Sequence, residues 1–331
     1  MSLARLPCRV VSLAPPARSP PRRAPAARPL RAALGAPPSA PLSELRYCPE
    51  SDAFVSEALG PASADASALV ARARAHYERE GWLVVRGVAS AARVADLQAA
   101  ADALEARAAL LTSSRRIEGA WFETQSASGK KGDAAARPGA LRKITSPSKL
   151  ERAFRDLREC ALIERVAMEL CGLGADRGAI GLACAVDQIN AKAARIGTGF
   201  PWHQDASFLK PRARDAFDRN GGVNVVLALD RSDETNGGFE VLSRTHRTPE
   251  PRDARDRYDT RAGTDDEKAR AEGDETASFF DESGRRLEPL DPGDAIFFHP
   301  MLAHGSGRNV SGRRRRVATL WYVGKDEEDA P

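Results

Sequence analysis

The chain is expected to fold as an α+β protein in which helices flank a β-barrel or jelly roll. Three observations lead there. Through about residue 172, apolar residues recur at three- and four-residue steps, the period of a helix with one buried face. Beyond that point apolar runs are short and bounded by Gly, Pro, Asn or Asp, as at 180–189, 223–229, 239–242, 295–298 and 317–323, which is the texture of many strands. Helices first and strands later suit an α+β arrangement, and 331 residues, 42% of them hydrophobic, are enough chain for a full core.

The elements follow in order. Residues 66–80 put Leu69, Val70, Ala73 and Tyr77 on one helical face, and Gly81 ends that helix. Trp82, Leu83, Val84 and Val85 read as a strand. Ser90 is placed to cap a second helix, along which Val94, Leu97, Ala101, Leu104, Ala108 and Leu111 repeat. Two further helical patches carry Leu150, Phe154 and Leu157, then Leu162, Val166 and Leu170. Residues 250–276 are dense in charge and poor in large apolar residues, and read as a surface insertion.

Charge divides the chain. The formal net charge is +4, from 50 basic and 46 acidic residues. Residues 1–43 hold seven arginines, ten prolines, no lysine and no acid, so 44–331 carries 43 basic against 46 acidic residues and is slightly acidic. A nucleic-acid partner argued from overall charge would rest on that leader alone, so none is expected. Arginine without acid is the composition of an organelle transit peptide, and delivery to a mitochondrion or plastid is expected, the alternative being a plain disordered tail on a cytoplasmic protein. No stretch approaches 18 apolar residues, so no membrane span is expected. The five cysteines show no Cys-x-x-Cys spacing, which speaks for reduced, mostly buried thiols rather than a disulfide framework or a zinc site.

Only five histidines exist, and four of them (His203, His246, His299 and His304) lie in the β half. His203 and Asp205 stand two apart in Phe200-Pro201-Trp202-His203-Gln204-Asp205. In a strand that spacing aims an imidazole and a carboxylate at one face, with Gln204 turned away. A distant histidine would complete a two-histidine, one-carboxylate triad that holds iron(II) and leaves three positions open. His-x-Asp alone is a weak signal, and a surface pair or a hydrogen-bonded core histidine explains it more readily than a metal site does.

The decisive segment runs Gly293-Asp294, then Phe298-His299-Pro300, then His304-Gly305-Ser306-Gly307-Arg308-Asn309. With His203-Gln204-Asp205, Asn236-Gly237 and Ser243-Arg244-Thr245-His246 in this order, the chain strongly resembles the phytanoyl-CoA dioxygenase family of iron(II)- and 2-oxoglutarate-dependent oxygenases. The helix–strand–helix opening at 66–111 is similar too. The resemblance implies a double-stranded β-helix, or cupin-like jelly roll, with N-terminal helices, spanning roughly 60–325.

It implies His203, Asp205 and His304 as metal ligands and catalytic centre. His299 is the rival for the distal position, and His246 and His76 are not ligands. Arg315, 11 residues after His304, would grip the distal carboxylate of 2-oxoglutarate. Arg313 shares its face and is the alternative; the rest of Arg313–Arg316 would form a solvated basic edge. Ser306, Lys143 and Gln188 match softer cosubstrate contacts. The sequence departs from the family's human-type members at Val226, where they carry tryptophan. The implied cofactors are iron(II), 2-oxoglutarate and dioxygen, with ascorbate as a stimulating reductant. The implied reaction is hydroxylation of a small-molecule or acyl-CoA or lipid-derived substrate with release of succinate and carbon dioxide. A carboxylate at 205, where related halogenases carry a small residue, points to hydroxylation or desaturation. The alternative is a cupin-like isomerase or metal-dependent binding protein, which would not need the arginine.

Overall fold

A computed structural model describes residues 9–10, 45–48, 53–56, 66–126, 136–173, 181–195, 197, 199–248 and 280–325. The expected insertion at 250–276, and the expected leader apart from Arg9–Val10, lie outside these residues. In chain order the elements are β1 (Arg9–Val10), β2 (Leu45–Cys48), β3 (Ala53–Ser56), α1 (Ala66–Glu80), β4 (Trp82–Arg86) and α2 (Ala91–Ala108). Then come β5 (Arg115–Ile117), β6 (Ala120–Ser126), β7 (Ala136–Thr145), α3 (Arg152–Arg158), α4 (Ala161–Leu170), β8 (Gly181–Lys192), β9 (Phe200–His203) and α5 (Pro211–Asn220). The chain continues through β10 (Gly222–Ala228), β11 (Phe239–Leu242), β12 (Arg285–Leu287), β13 (Ala295–Phe298), β14 (His304–Ser306) and β15 (Arg315–Lys325).

The predicted helices form for the predicted reasons. Gly81 ends α1 in the left-handed region at φ 85°, and its amide donates to the Tyr77 carbonyl at 2.7 Å. A Cβ there would lie 2.5 Å from His246 Nδ1, so close packing also demands glycine. Ser90 caps α2 by accepting from the Arg93 amide at 3.3 Å, and Val94, Leu97, Ala101, Leu104 and Ala108 are buried. The helix stops there, three residues short of the expected Leu111. Two features were not expected: three strands, β5 to β7, lie inside the helical half, and α5 lies inside the β half. Helix α5 is a short amphipathic piece started by Pro211 and stopped by Gly221, which buries only Ala216, Phe217 and Asn220.

The strands form an eleven-stranded sheet ordered β1-β2-β3-β4-β13-β10-β15-β8-β7-β6-β5 and a four-stranded sheet ordered β12-β11-β14-β9. The pairs are antiparallel except β3 with β4. Alternation along the large sheet's central strands sorts residues onto two faces. Val223, Val225 and Leu227 of β10, with Ala318, Leu320 and Tyr322 of β15, pack with Leu97, Leu104, Phe154, Leu157 and Val166 of the helices. Val226 and Ala228, with Val317, point the other way and pack with Phe239 and Val241 of the small sheet. Burying each such side chain is worth about 1.5–3 kcal/mol, so the two faces fix the register of β10 and β15 from both sides.

Glu80, the last residue of α1, ties the helices to the small sheet. Its carboxylate accepts two hydrogen bonds from Arg244 at 3.1 and 3.0 Å and one from Arg79 at 2.7 Å. Burial pushes this carboxyl up, but the hydrogen bonds and charges of Arg244 and Arg79 overcome it and hold it at about 2. A carboxylate whose acidity is raised by folding stabilises the fold above its ordinary value of 4.5 and loses that contribution as pH falls towards about 2. Glu80→Gln is therefore expected to lower stability by about 1–2 kcal/mol at pH 7, with the deficit shrinking as pH drops through that window. Thermal melts at pH 7, 4 and 3 check this; a deficit that does not shrink on acidification contradicts it.

Candidate metal centre

The small sheet brings the two histidines together. His203 ends β9, His304 begins β14, and the two are directly opposed in the antiparallel ladder. Directly opposed residues share a face, and the ring centroids are 4.2 Å apart. Asp205 arrives differently from the sequence expectation. It is not on the strand: β9 stops at His203, Gln204 stays extended at φ −111° and ψ 120°, and Asp205 opens a short 3-10 turn, Asp205–Phe208. The turn nonetheless presents the carboxylate to both imidazoles, at 3.4 Å from His203 Nε2 and 3.4 Å from His304 Nε2. One ligand atom from each residue lies within 4.8 Å of the others. Gln204 does turn away, and its amide donates to the Thr245 and Thr248 carbonyls at 3.3 and 2.8 Å.

Hydrogen bonds set the tautomers. His203 Nδ1 lies 2.7 Å from the Pro201 carbonyl and His304 Nδ1 lies 2.9 Å from the Leu302 carbonyl. A carbonyl only accepts, so each Nδ1 carries the proton and each Nε2 turns a lone pair to the centre. Burial lowers His304 to about 4, keeping it neutral at pH 7. Burial pushes Asp205 up, but its neighbours, among them the Asn224 amide 2.7 Å from Oδ2, outweigh it and hold the carboxyl below its ordinary range. Neutral imidazoles and an ionised carboxylate are the forms a metal requires. A divalent ion with bonds of about 2.1 Å places adjacent ligands about 3 Å apart, which this cluster approaches. The donor set is that of non-haem iron(II), so the residues fit the ion.

The centre lines a pocket of about 430 Å³ between the two sheets. Arg315 lines it too and is 2% exposed. Its Nε donates to Ser232 Oγ at 3.2 Å, and its Nη2 has no hydrogen-bond partner among the described residues. Burial lowers this guanidinium only to about 10, so a cation with an unspent donor stands in the pocket wall at neutral pH. That group calls for an anion. Gln188, Ser306 and Lys143 line the same pocket, Lys143 also pairing with Glu123 at 3.4 Å. Val226, the position where human-type members carry tryptophan, lines it as well.

A family model described as phytanoyl-CoA dioxygenase matches residues 77–317. The chain belongs to the phytanoyl-CoA dioxygenase family. The peroxisomal phytanoyl-CoA dioxygenase of Rattus norvegicus is 25% identical over 297 residues, covering 88% of this chain and 76% of that protein. L-proline trans-4-hydroxylase of Streptomyces griseoviridis is 30% identical over 141 residues, 41% of this chain and 52% of that protein, so the match spans about half of that relative. The crystal structure of EctD from S. alaskensis with 2-oxoglutarate and 5-hydroxyectoine superposes with a TM-score of 0.52 at 23% identity, covering 77% of this chain and 76% of that one. At that identity the likeness is one of fold, a jelly-roll oxygenase fold, and it agrees with the α+β architecture expected from the sequence.

Within this phytanoyl-CoA dioxygenase family chain the rival residues are placed elsewhere. His299 follows β13, accepts from the Met301 amide at 3.0 Å and packs on Phe217 and His246, outside the pocket lining. A turn lies between His299 and His304, so strand alternation does not relate them. Arg313 is exposed and pairs with Asp233 at 2.9 Å. Arg316 overturns the expectation of a solvated edge: it is fully buried on the helix side, held by Asp230 at 2.8 Å and Asp102 at 2.6 Å. The sequence reading missed Asn224, which holds Asp205, and Asn190, whose amide donates to Thr319 Oγ1 at 2.9 Å in the pocket wall. Polar residues inside apolar strand runs were the available signal for both.

Manganese(II), used in place of iron, is expected to raise the melting temperature of the wild type and not of Asp205→Ala. Asn224→Ala keeps all three ligands and is expected to weaken metal binding about 10–100-fold. Calorimetric titration checks both, and an Asn224→Ala affinity equal to wild type contradicts the role given to that amide.

Proposed function

We propose that the chain is an iron(II)- and 2-oxoglutarate-dependent dioxygenase that hydroxylates a small-molecule or acyl-CoA or lipid-derived substrate, with release of succinate and carbon dioxide. One observation carries the reading: a buried guanidinium with an unspent donor lines the same pocket as a two-histidine, one-carboxylate cluster. A metal-dependent isomerase or binder would need the cluster but not the cation.

Iron(II), when bound, supplies the activation of dioxygen coupled to decarboxylation of 2-oxoglutarate. His203, Asp205 and His304 would hold it from one side and leave the other open to cosubstrate and oxygen. Arg315 would fix the distal carboxylate from the pocket wall, with Ser306, Gln188 and Lys143 along the same wall. Phe208, whose ring meets His203 edge-on at 5.8 Å, lines the substrate side with Leu209, Val186 and Trp321. These apolar walls hold the reacting carbon and exclude water from the centre. The arginine-rich, acid-free leader supports delivery to an organelle as part of the same reading.

The test is consumption of 2-oxoglutarate with iron(II) and ascorbate. His304→Ala and Asp205→Ala are expected to abolish it. Arg315→Ala, which removes a buried charge-assisted pair, is expected to raise the KM for 2-oxoglutarate about 10²-fold. Undiminished turnover in either ligand variant removes the metal assignment, and an unchanged KM in Arg315→Ala removes the cosubstrate assignment.

A further inference from the structure

We infer that Lys192 is a positioning residue of the cosubstrate site: it turns the Ser306 hydroxyl proton into the pocket and sets a second cation beside Arg315. The inference rests on the proposed 2-oxoglutarate site and extends it to a residue outside the pocket lining.

Lys192 is the last residue of β8 and stands directly opposite Arg315, the first residue of β15. Directly opposed residues share a face with Cβ atoms about 5 Å apart, so two long basic side chains leave the sheet together. Both are buried, Lys192 at 1% exposure and Arg315 at 2%. Lys192 Nζ donates to Ser306 Oγ at 2.8 Å and to the Gly307 carbonyl. Here the chemistry of donors decides the outcome. An ammonium only donates, so Ser306 Oγ spends a lone pair on Lys192 and keeps its own proton for another acceptor. Ser306 lines the pocket, where a carboxylate bound at Arg315 would be that acceptor.

The sequence motifs that the metal centre leaves unused assemble around this lysine. Asn236 accepts from the Asp233 amide at 2.8 Å and donates to the Arg231 carbonyl at 2.7 Å, building the turn that presents Gly237. Gly237 sits at φ 73°, and a Cβ there would lie 2.8 Å from Lys192 Nζ and 2.4 Å from the Gly307 carbonyl. Asn309 donates to the Lys192 carbonyl at 3.0 Å and to the Arg313 carbonyl at 2.7 Å, pinning the end of β8 beside the start of β15. The Asn-Gly pair and the Gly-x-Asn ending of the distal histidine motif thus share one task. They hold an ammonium behind a serine.

The test is calorimetric binding of 2-oxoglutarate to the manganese(II)-loaded full chain, with melting temperatures measured alongside. Lys192→Met and Ser306→Ala are each expected to weaken 2-oxoglutarate about tenfold or more, and the double variant no further than Lys192→Met alone, because one residue acts through the other. Manganese affinity is expected to stay within about twofold of wild type, since the three ligands are untouched. Lys192→Met binding 2-oxoglutarate like wild type overturns the inference, and so does an equal loss of metal and cosubstrate affinity, which would mark general loosening. Should Lys192→Met fail to fold, Ser306→Ala decides: unchanged affinity there overturns it too. A wild-type protein that binds manganese but not 2-oxoglutarate overturns the proposed function itself, and that result is distinct from the others.

Discussion

A guanidinium taken out of water must find acceptors or destabilise the fold, and strand β15 takes two out of water at consecutive residues. Arg315 and Arg316 leave opposite faces of one strand, so the two solutions can be compared side by side. Arg316 faces the helices and is satisfied there: Asp230 binds it with two oxygens and Asp102 with a third. That network locks α2 to the central strand and is complete without any ligand. Arg315 faces the small sheet, where its hydrogen-bond partner among the described residues is a serine hydroxyl and Asp230 attracts it without forming an ion pair. The same buried charge is structural on one face and unfinished on the other. The unfinished one lies in the pocket wall that also holds the His203, Asp205 and His304 cluster, and the proposed cosubstrate site rests on that asymmetry.

The two sheets divide the remaining work. The proposed metal ligands come from the small sheet and the turn after it, through one cross-strand histidine pair that needs only short strands to define it. The proposed cosubstrate groups come mostly from the large sheet, on β7, β8 and β15, whose register is fixed by apolar burial on both faces. A site split in this way works only while the sheets keep their spacing. The packing of Val226, Val317, Phe239 and Phe298 sets that spacing beside the pocket, and Lys192 bonded to Ser306 crosses from one sheet to the other within it.

What the sequence made legible follows from distance along the chain. The helices capped at Ser90 and stopped at Gly81, and the apolar runs of β10, β13 and β15, are local patterns and could be read directly. The ligand set was legible through motif order. The geometric argument behind it reached the right side for Asp205 but not the right element: β9 ends two residues before Asp205, and the extended Gln204 carries the alternation on into the turn. The run Arg313–Arg316 was legible as a choice between two faces but not as three environments. Whether an arginine meets solvent, Asp230 or a pocket depends on partners 80 or more positions away. Lys192, Asn224 and Glu80 were missed for the same reason, since each acts on a residue supplied by another element.

The charge of the chain gains meaning from this arrangement. A slightly acidic body does not exclude a positive pocket, because field lines are focused by the few charges that low-dielectric walls enclose. Among the described residues Asp205 is the one acid lining the pocket, and a bound divalent ion would more than cancel it. Arg315 then has no carboxylate left in the lining to pair with, and Lys192 stands beside it through the ladder. A dianion entering from water exchanges its hydration shell for these fixed donors, so the desolvation that makes two buried cations costly in the empty fold becomes the source of its binding. Size and charge act together here: a pocket of about 430 Å³ leaves space for a small dianion and a modest partner at once. The anion is drawn to the Arg315 wall because the guanidinium there is buried and fixed, whereas Lys210, beside Phe208 and Leu209 in the lining, is exposed to solvent.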